Sequence, residues 1–190
     1  MAFVEMVSAE QATGEIAAMY QEEVARRGYL PNYVRAFSAR PAVYRAWAQL
    51  NGAIRAHDVR RYELATLAAA RQLRSSYCSL AHGKILAEQF FDADTVRTLP
   101  AALEAVDVAV MRLAEKVAAD ATSVTAADVD HLRTLGLSDA EIVDVVLAAA
   151  ARCFFSKALD ALGVQADAIF ADLEPGLRDA LTVGRPIEVV

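Results

Sequence analysis

Tyr62-Glu63-Leu64-Ala65-Thr66-Leu67-Ala68-Ala69-Ala70-Arg71 has good helix formers throughout, and Ser75-Ser76 then interrupts it with residues that prefer helix caps. A second helix is expected to begin there. With Ser75 as its N-cap, Cys78 falls at the third helical position, where unpaired backbone N–H groups and the positive end of the helix dipole favour a thiolate over a thiol. His82 follows four residues later on the same helix face, within reach of proton exchange with the thiol. Glu63, on the preceding helix, meets the two only through tertiary packing. An acid on an otherwise Leu- and Ala-rich helix costs energy if it is buried without a partner or a role. The stretch therefore reads as a helix pair that carries a redox or acid/base site.

Helical signals recur on both sides of this pair, and no segment alternates apolar and polar residues over a useful length, so the fold class is all-α, a helical bundle in one domain over residues 1–190. Ser8-Ala9-Glu10-Gln11 has the pattern of a capping box opening a helix that ends near Gly28, Pro31 breaks the chain, and Pro41 suits the first turn of the next helix. Pro100 opens a helix through Met111 toward Ala119, Thr125 caps a short helix ending at Gly136, and Ser138-Asp139-Ala140-Glu141 starts a long apolar helix closed by Gly163. One further amphipathic helix is expected from Gln165 to about Leu181, followed by an extended arm from Thr182 to Val190 reaching across a neighbour. Leu64–Leu73 and Val145–Phe154 share an Ala-Ala-Ala-Arg core, the sign of two related helical units with close backbone approach.

With 190 residues, 56% of them hydrophobic, the chain buries one good core. Its net charge is −6, yet residues 24–87 hold eleven Lys or Arg against only Asp58 and Glu63. This basic stretch either draws an anionic substrate toward the motif helix or meets the acidic half of another subunit. Basic clusters interleaved with aromatics are missing, which argues against nucleic acid. No apolar run approaches membrane-spanning length, and Met1-Ala2-Phe3-Val4-Glu5-Met6 lacks the basic opening of a signal peptide, so a cytoplasmic protein is expected. Two cysteines, Cys78 and Cys153, make neither a disulfide scaffold nor a zinc-ligand spacing, and no cofactor or metal is expected.

The spacing of Glu63, Ser75, Cys78 and His82 resembles the AhpD-like, carboxymuconolactone decarboxylase superfamily. Its redox members carry Glu, eleven residues, Cys, two residues, Cys, three residues, His. Glu63, Cys78 and His82 match, and Ser75 stands where the first cysteine would be. Gly28-Tyr29-Leu30-Pro31-Asn32-Tyr33, Arg40-Pro41 and the helix through Trp47 resemble the approach segment of the peroxidase-related branch, so that the likeness covers roughly residues 10–165, with a C-terminal helix and arm over 166–190. The resemblance implies an AhpD-like helical bundle, an alkylhydroperoxidase-type antioxidant oxidoreductase and a homo-oligomer, trimer or hexamer. By residue it implies Glu63 as base, His82 as relay and Cys78 as nucleophile. A dithiol resolves its product as a disulfide, which a serine cannot do, so a cycle on Cys78 alone needs an external thiol reductant or Cys153.

Three readings stay open. One is a single-thiol peroxidase. Another is a non-redox enzyme like the decarboxylase branch, in which Glu63 and His82 transfer protons on a small carboxylate or lactone. The last is a helical assembly protein without activity. Ser75 is a cap by its chemistry, or a hydroxyl that orients substrate; Tyr77 is a candidate for the pocket wall or for core packing. Cys153 lies on an apolar stripe with Ile142, Val145, Val146 and Ala149 and reads as core, or as a distant resolving thiol. His57 and Asp58 belong to the loop before the Glu63 helix, and His131 to a solvated helix.

Overall fold

A computed structural model describes residues 2–189. Ten α-helices follow one another: α1 (Gly14–Arg27), α2 (Asn32–Ala36), α3 (Pro41–Arg55), α4 (Val59–Gln72), α5 (Ser76–Gln89), α6 (Ala93–Thr98), α7 (Ala105–Asp120), α8 (Ala126–Thr134), α9 (Asp139–Ala161) and α10 (Pro175–Leu181). No β-strand is present among the described residues, only an isolated bridge between Ala166 and Ile187. The fold is all-α.

The decisive stretch becomes the centre of the molecule. Every residue of α4 from Tyr62 to Ala70 is buried, because α5, α7 and α9 all pack against it. A helix that is apolar all round must be enclosed in this way, and Leu64 and Leu67, both without exposed surface, each contribute about 1.5–3 kcal/mol by leaving water. Asp58 caps α4 by accepting from the Arg61 N–H at 2.9 Å. At the other end Ser75 N donates to Ala70 O and Arg74 N to Arg71 O, the paired bonds of a Schellman turn, with Arg74 in the left-handed region at φ 56°. That turn swings the chain into α5. Ala65, Ala68, Ala69 and Ala70 of α4 and Ala148 and Ala149 of α9 are all buried, so the paired Ala-rich helices approach closely.

Several helix boundaries differ from the sequence reading. Ser8 and Gln11 do bond reciprocally (Ser8 N to Gln11 Oε1, 3.4 Å; Gln11 N to Ser8 Oγ, 3.3 Å), but they close an isolated turn, and α1 starts only at Gly14. Pro100 sits in a turn, with α7 starting at Ala105. The segment from Gln165 to Leu181 is two pieces, a 3-10 turn at Ala168–Asp172 and then α10, divided where Pro175 takes the first helical position. By contrast the capping box Ser138/Glu141 opens α9 as expected, and Thr125 caps α8 with Asp128 as its reciprocal partner.

The arm after α10 lies on its own chain. Gly184 N donates to Ser76 Oγ at 2.7 Å, Glu188 N to Ala166 O, and Arg185 to Asp160 O. A Cβ at position 184 would stand 1.9 Å from Arg74 O, so only glycine lets the arm press on the α4–α5 turn. Val190, which the sequence reading places in the arm, lies outside the described residues.

Candidate functional site

Glu63 reaches its partners from the first third of α4. Although its side chain has no exposed surface, it is fully engaged: Oε2 stands 2.5 Å from His82 Nδ1, and Oε1 accepts from Arg55 Nε at 2.9 Å. Burial pushes the Glu63 carboxyl up, but His82 and Arg55 outweigh it and hold the group below its ordinary range, as a carboxylate. His82 is lowered as well, by burial and by the positive charge of Arg152, against the pull of Glu63. The pair is thus a carboxylate beside a neutral imidazole. Because a carboxylate only accepts, the neutral ring carries its proton on Nδ1, and Nε2 keeps a lone pair.

Cys78 sits at the third position of α5, with Ser75 at the N-cap. Its sulfur is met by a group from across the core: Arg152 Nη1 of α9 donates to Sγ at 3.4 Å. Arg152 Nη2 donates to the Tyr62 hydroxyl at 3.0 Å, which donates on to Asn51 Oδ1 at 2.6 Å. The guanidinium also lies over the rings of Phe155 (5.6 Å) and Trp47 (5.9 Å). Burial alone would lower the Arg152 pKa; Cys78 and Tyr62 more than offset that and raise it, so the charge persists inside the protein. A buried cation held against a thiol is a ready counter-charge for a thiolate.

Glu63, Cys78, His82 and Arg152 all line one cavity of about 420 Å³ between α1, α2, α3, α4, α5 and α9. Its walls are aromatic, with Trp47 stacked on Phe155 (4.8 Å between centroids) and Tyr33 edge-on to Tyr77 (5.7 Å). Tyr77 lines the cavity with its ring, while its hydroxyl donates to buried Asp167, which also accepts from Asn32 N (2.7 Å) and Tyr29 Oη (3.2 Å). Burial pushes the Asp167 carboxyl up against those three donors.

The other candidates fall elsewhere. Ser75 is buried and does not line the cavity; its Oγ makes no capping bond, and backbone geometry alone places it as N-cap. Cys153, half-buried on α9, does not line the cavity either, and the two cysteines form no disulfide. His57 and Asp58 border a separate cleft of about 140 Å³ with Arg61, Glu141 and Asp144, and His131 is exposed. Among the described residues no group of three or more His, Cys, Asp or Glu side chains is placed to hold a metal ion.

Sequence reasoning did not find Arg152, Arg55, Tyr62 or Asn51. Arg152 had a signal: it is the one charge within the apolar run Val145–Phe154, and the reasoning applied to Glu63 applies to it unchanged. Arg55 and Asn51 lie on the last turns of α3 and carry no such mark.

The arrangement of helices, as distinct from the site they carry, has counterparts among solved structures. The fold is AhpD-like. The chain superposes with a TM-score of 0.78 on the crystal structure of a peroxidase-related protein from Ralstonia eutropha JMP134 described as an alkylhydroperoxidase AhpD core, at 22% identity over 89% of this chain and 94% of that one. A peroxidase-related protein from Silicibacter sp. TM1040 gives 0.72 at 16% identity, covering 89% and 91%. No protein-family model matches the chain, and no curated protein matches it in sequence. At these identities the AhpD-like likeness is one of fold, and no helix among the described residues is long and apolar enough to cross a membrane.

Proposed function

We propose that the chain is a thiol-dependent hydroperoxide reductase of the AhpD-like type, with Cys78 as its single nucleophile. The observation that carries this reading is the buried Arg152 guanidinium donating to the Cys78 sulfur inside the cavity that Glu63 and His82 also line. In the first step His82 Nε2 takes the Cys78 proton, with Glu63 steadying the imidazolium as it forms and Arg152 steadying the thiolate. The sulfur then attacks the distal oxygen of a hydroperoxide. An S–O bond forms, the O–O bond breaks, sulfur is oxidised by two electrons, and the departing alkoxide takes the proton from His82 as an alcohol. Cys78 is left as a sulfenic acid. One external thiol displaces water to give a mixed disulfide; a second releases Cys78 as thiol and leaves as the external disulfide.

The test is turnover of cumene hydroperoxide with dithiothreitol as reductant. Cys78→Ser is expected to abolish it and Glu63→Gln to slow it by about 10²-fold or more. Unchanged turnover in Cys78→Ser would sink the mechanism.

One observation favours a second reading. No other thiol lines the cavity, since Cys153 does not border it, so the site is also suited to proton transfer by His82 and Glu63 on a small carboxylate or lactone. There the ranking reverses, with Cys78→Ser mild and Glu63→Gln severe. Either activity is proposed for a homo-oligomer, trimer or hexamer, to be checked by light scattering.

A further inference from the structure

The cavity holds more positive charge than the proposed chemistry uses. Arg26, Arg27, Arg55 and Arg152 line it; Glu63, which lines it too, is engaged by Arg55 and His82, and Glu23, outside the lining, by Arg26 and Arg27. Arg152 spends its terminal nitrogens on Cys78 and Tyr62. Arg55 differs. Like Arg27, which bonds Glu23 through Nε alone, it is bonded only through Nε, to Glu63; but the Arg27 guanidinium is set over the Tyr33 ring (5.6 Å), whereas among the described residues no side chain, ring or carbonyl takes up the terminal nitrogens of Arg55, which lines the cavity beside Glu63 with 38% of its side chain exposed. A guanidinium so placed offers a planar pair of donors matched to a carboxylate. The wall beside it is mainly aromatic, formed by Trp47, Tyr44, Tyr33 and Phe155 with Ala48, and offers ring faces and edges on which a planar ring packs, and the volume of about 420 Å³ is that of a small-molecule site.

We infer that the cavity binds an organic carboxylate with a flat apolar body, the carboxylate on the terminal nitrogens of Arg55 and the body against the Trp47–Tyr44–Tyr33 wall. This deepens the reading above and rests on it for the chemistry alone: with a reactive Cys78, the substrate class becomes a hydroperoxide that carries a carboxylate. An inorganic anion would leave the aromatic wall unused, and a neutral body would leave Arg55 unmatched.

Trp47 is the only tryptophan of the chain, so its fluorescence reports the cavity directly. The experiment titrates the full chain with 4-phenylbutyrate and with its neutral analogue 4-phenylbutanol, read by Trp47 fluorescence and by calorimetry. The acid is expected to bind about tenfold or more tightly than the alcohol, the scale of one charge-assisted pair. Arg55→Gln is expected to bring the two within about twofold while leaving the alcohol unaffected, and added salt to shrink the wild-type preference. Equal affinities in the wild type, absence of saturable acid binding, or a preference that survives Arg55→Gln overturns the inference. Should Arg55→Gln fail to fold, a wild-type preference insensitive to about 0.5 M salt overturns it. Repeating the titration in Cys78→Ser separates the two proposals. A retained acid preference beside undiminished hydroperoxide turnover sinks the thiol mechanism alone, and a Cys78-dependent turnover without acid preference sinks the carboxylate site alone.

Discussion

Arg71 and Arg152 each follow a run of alanines, all buried on α4 and all but Ala150 buried on α9, in helices that pack against each other, yet they are used in opposite ways. Arg71 donates to the carbonyls of Val96 (3.1 Å) and Leu99 (3.2 Å), tying down the end of α6, and burial lowers its pKa. Arg152 donates to a thiol and a phenol, groups able to carry negative charge, and its pKa rises in spite of deeper burial. Local sequence set the helix and the burial of both. What each guanidinium does was decided by the elements that packed onto it, a helix end in one case and a cavity wall in the other.

The comparison breaks most visibly at Arg152. Arg152→Met keeps the volume and removes the charge, and is expected to lower Cys78-dependent turnover by about 10²-fold or more, as loss of a preorganised electrostatic partner does. Stability should change little, because an apolar isostere of a buried charge is often tolerated. A variant with normal turnover would reduce Arg152 to packing. Arg71→Met should do the reverse, costing about 1–3 kcal/mol in urea unfolding, since Leu99 O loses its partner and Val96 O keeps only a long bond from Leu99 N, with alkylation of Cys78 unaffected.

The next effect is on pH. Glu63 and His82 are both held below their ordinary values of 4.5 and 6.5, so between folded and unfolded values the unfolded chain binds more protons. Their contribution to stability is complete above pH 6.5 and is lost as pH falls, first through the range of His82 and then through that of Glu63. The slope from one such group is at most about 1.4 kcal/mol per pH unit. Melting temperatures measured against pH should show this fall, and His82→Gln should flatten its upper part; an unaltered profile would contradict the neutral imidazole.

The smallest effect concerns how the two helices stop. Both end in a Schellman turn, but α9 uses Gly163 at φ 73° and α4 uses Arg74 at φ 56°. Arg74→Gly relieves a left-handed arginine and loses a long bond from its Nε to Val183 O (3.4 Å), for a net gain of up to about 1 kcal/mol in unfolding experiments. The reverse change at Gly163 puts a side chain at φ 73° and displaces the exposed Phe3 ring, 2.8 Å from the new Cβ, so it should destabilise.

The all-α architecture, the enclosed α4 and the helix start at Ser75 were legible because propensity, capping chemistry and burial agreed over that stretch. Ser8–Gln11 misled because a capping box closes one turn by itself and needs following tertiary contacts to become a helix, which here begin only at Gly14. The arm is expected from Gly184 and Pro186, but its docking on its own chain through Gly184, Arg185 and Glu188 rests on contacts more than a hundred residues apart in two cases, which no local pattern encodes. Glu63, Cys78 and His82 were legible by spacing. Arg55, Tyr62 and Asn51 were not, because α3 carries nothing to say which of its faces will border the cavity.

The alanines of α4 act as a gauge. Glu63 and His82 stand on different helices, and the gap between their side chains is held at 2.5 Å by how closely those helices can lie. Ala65, Ala68, Ala69 and Ala70 carry no reacting group, yet they are buried where α5, α7 and α9 close around α4, and each additional methylene there would push a neighbouring helix outward and disturb the frame that holds the pair. The tolerance of this site to alteration is therefore set by its least reactive residues, and anyone who re-engineers its chemistry should vary the walls and leave the spacers as they are.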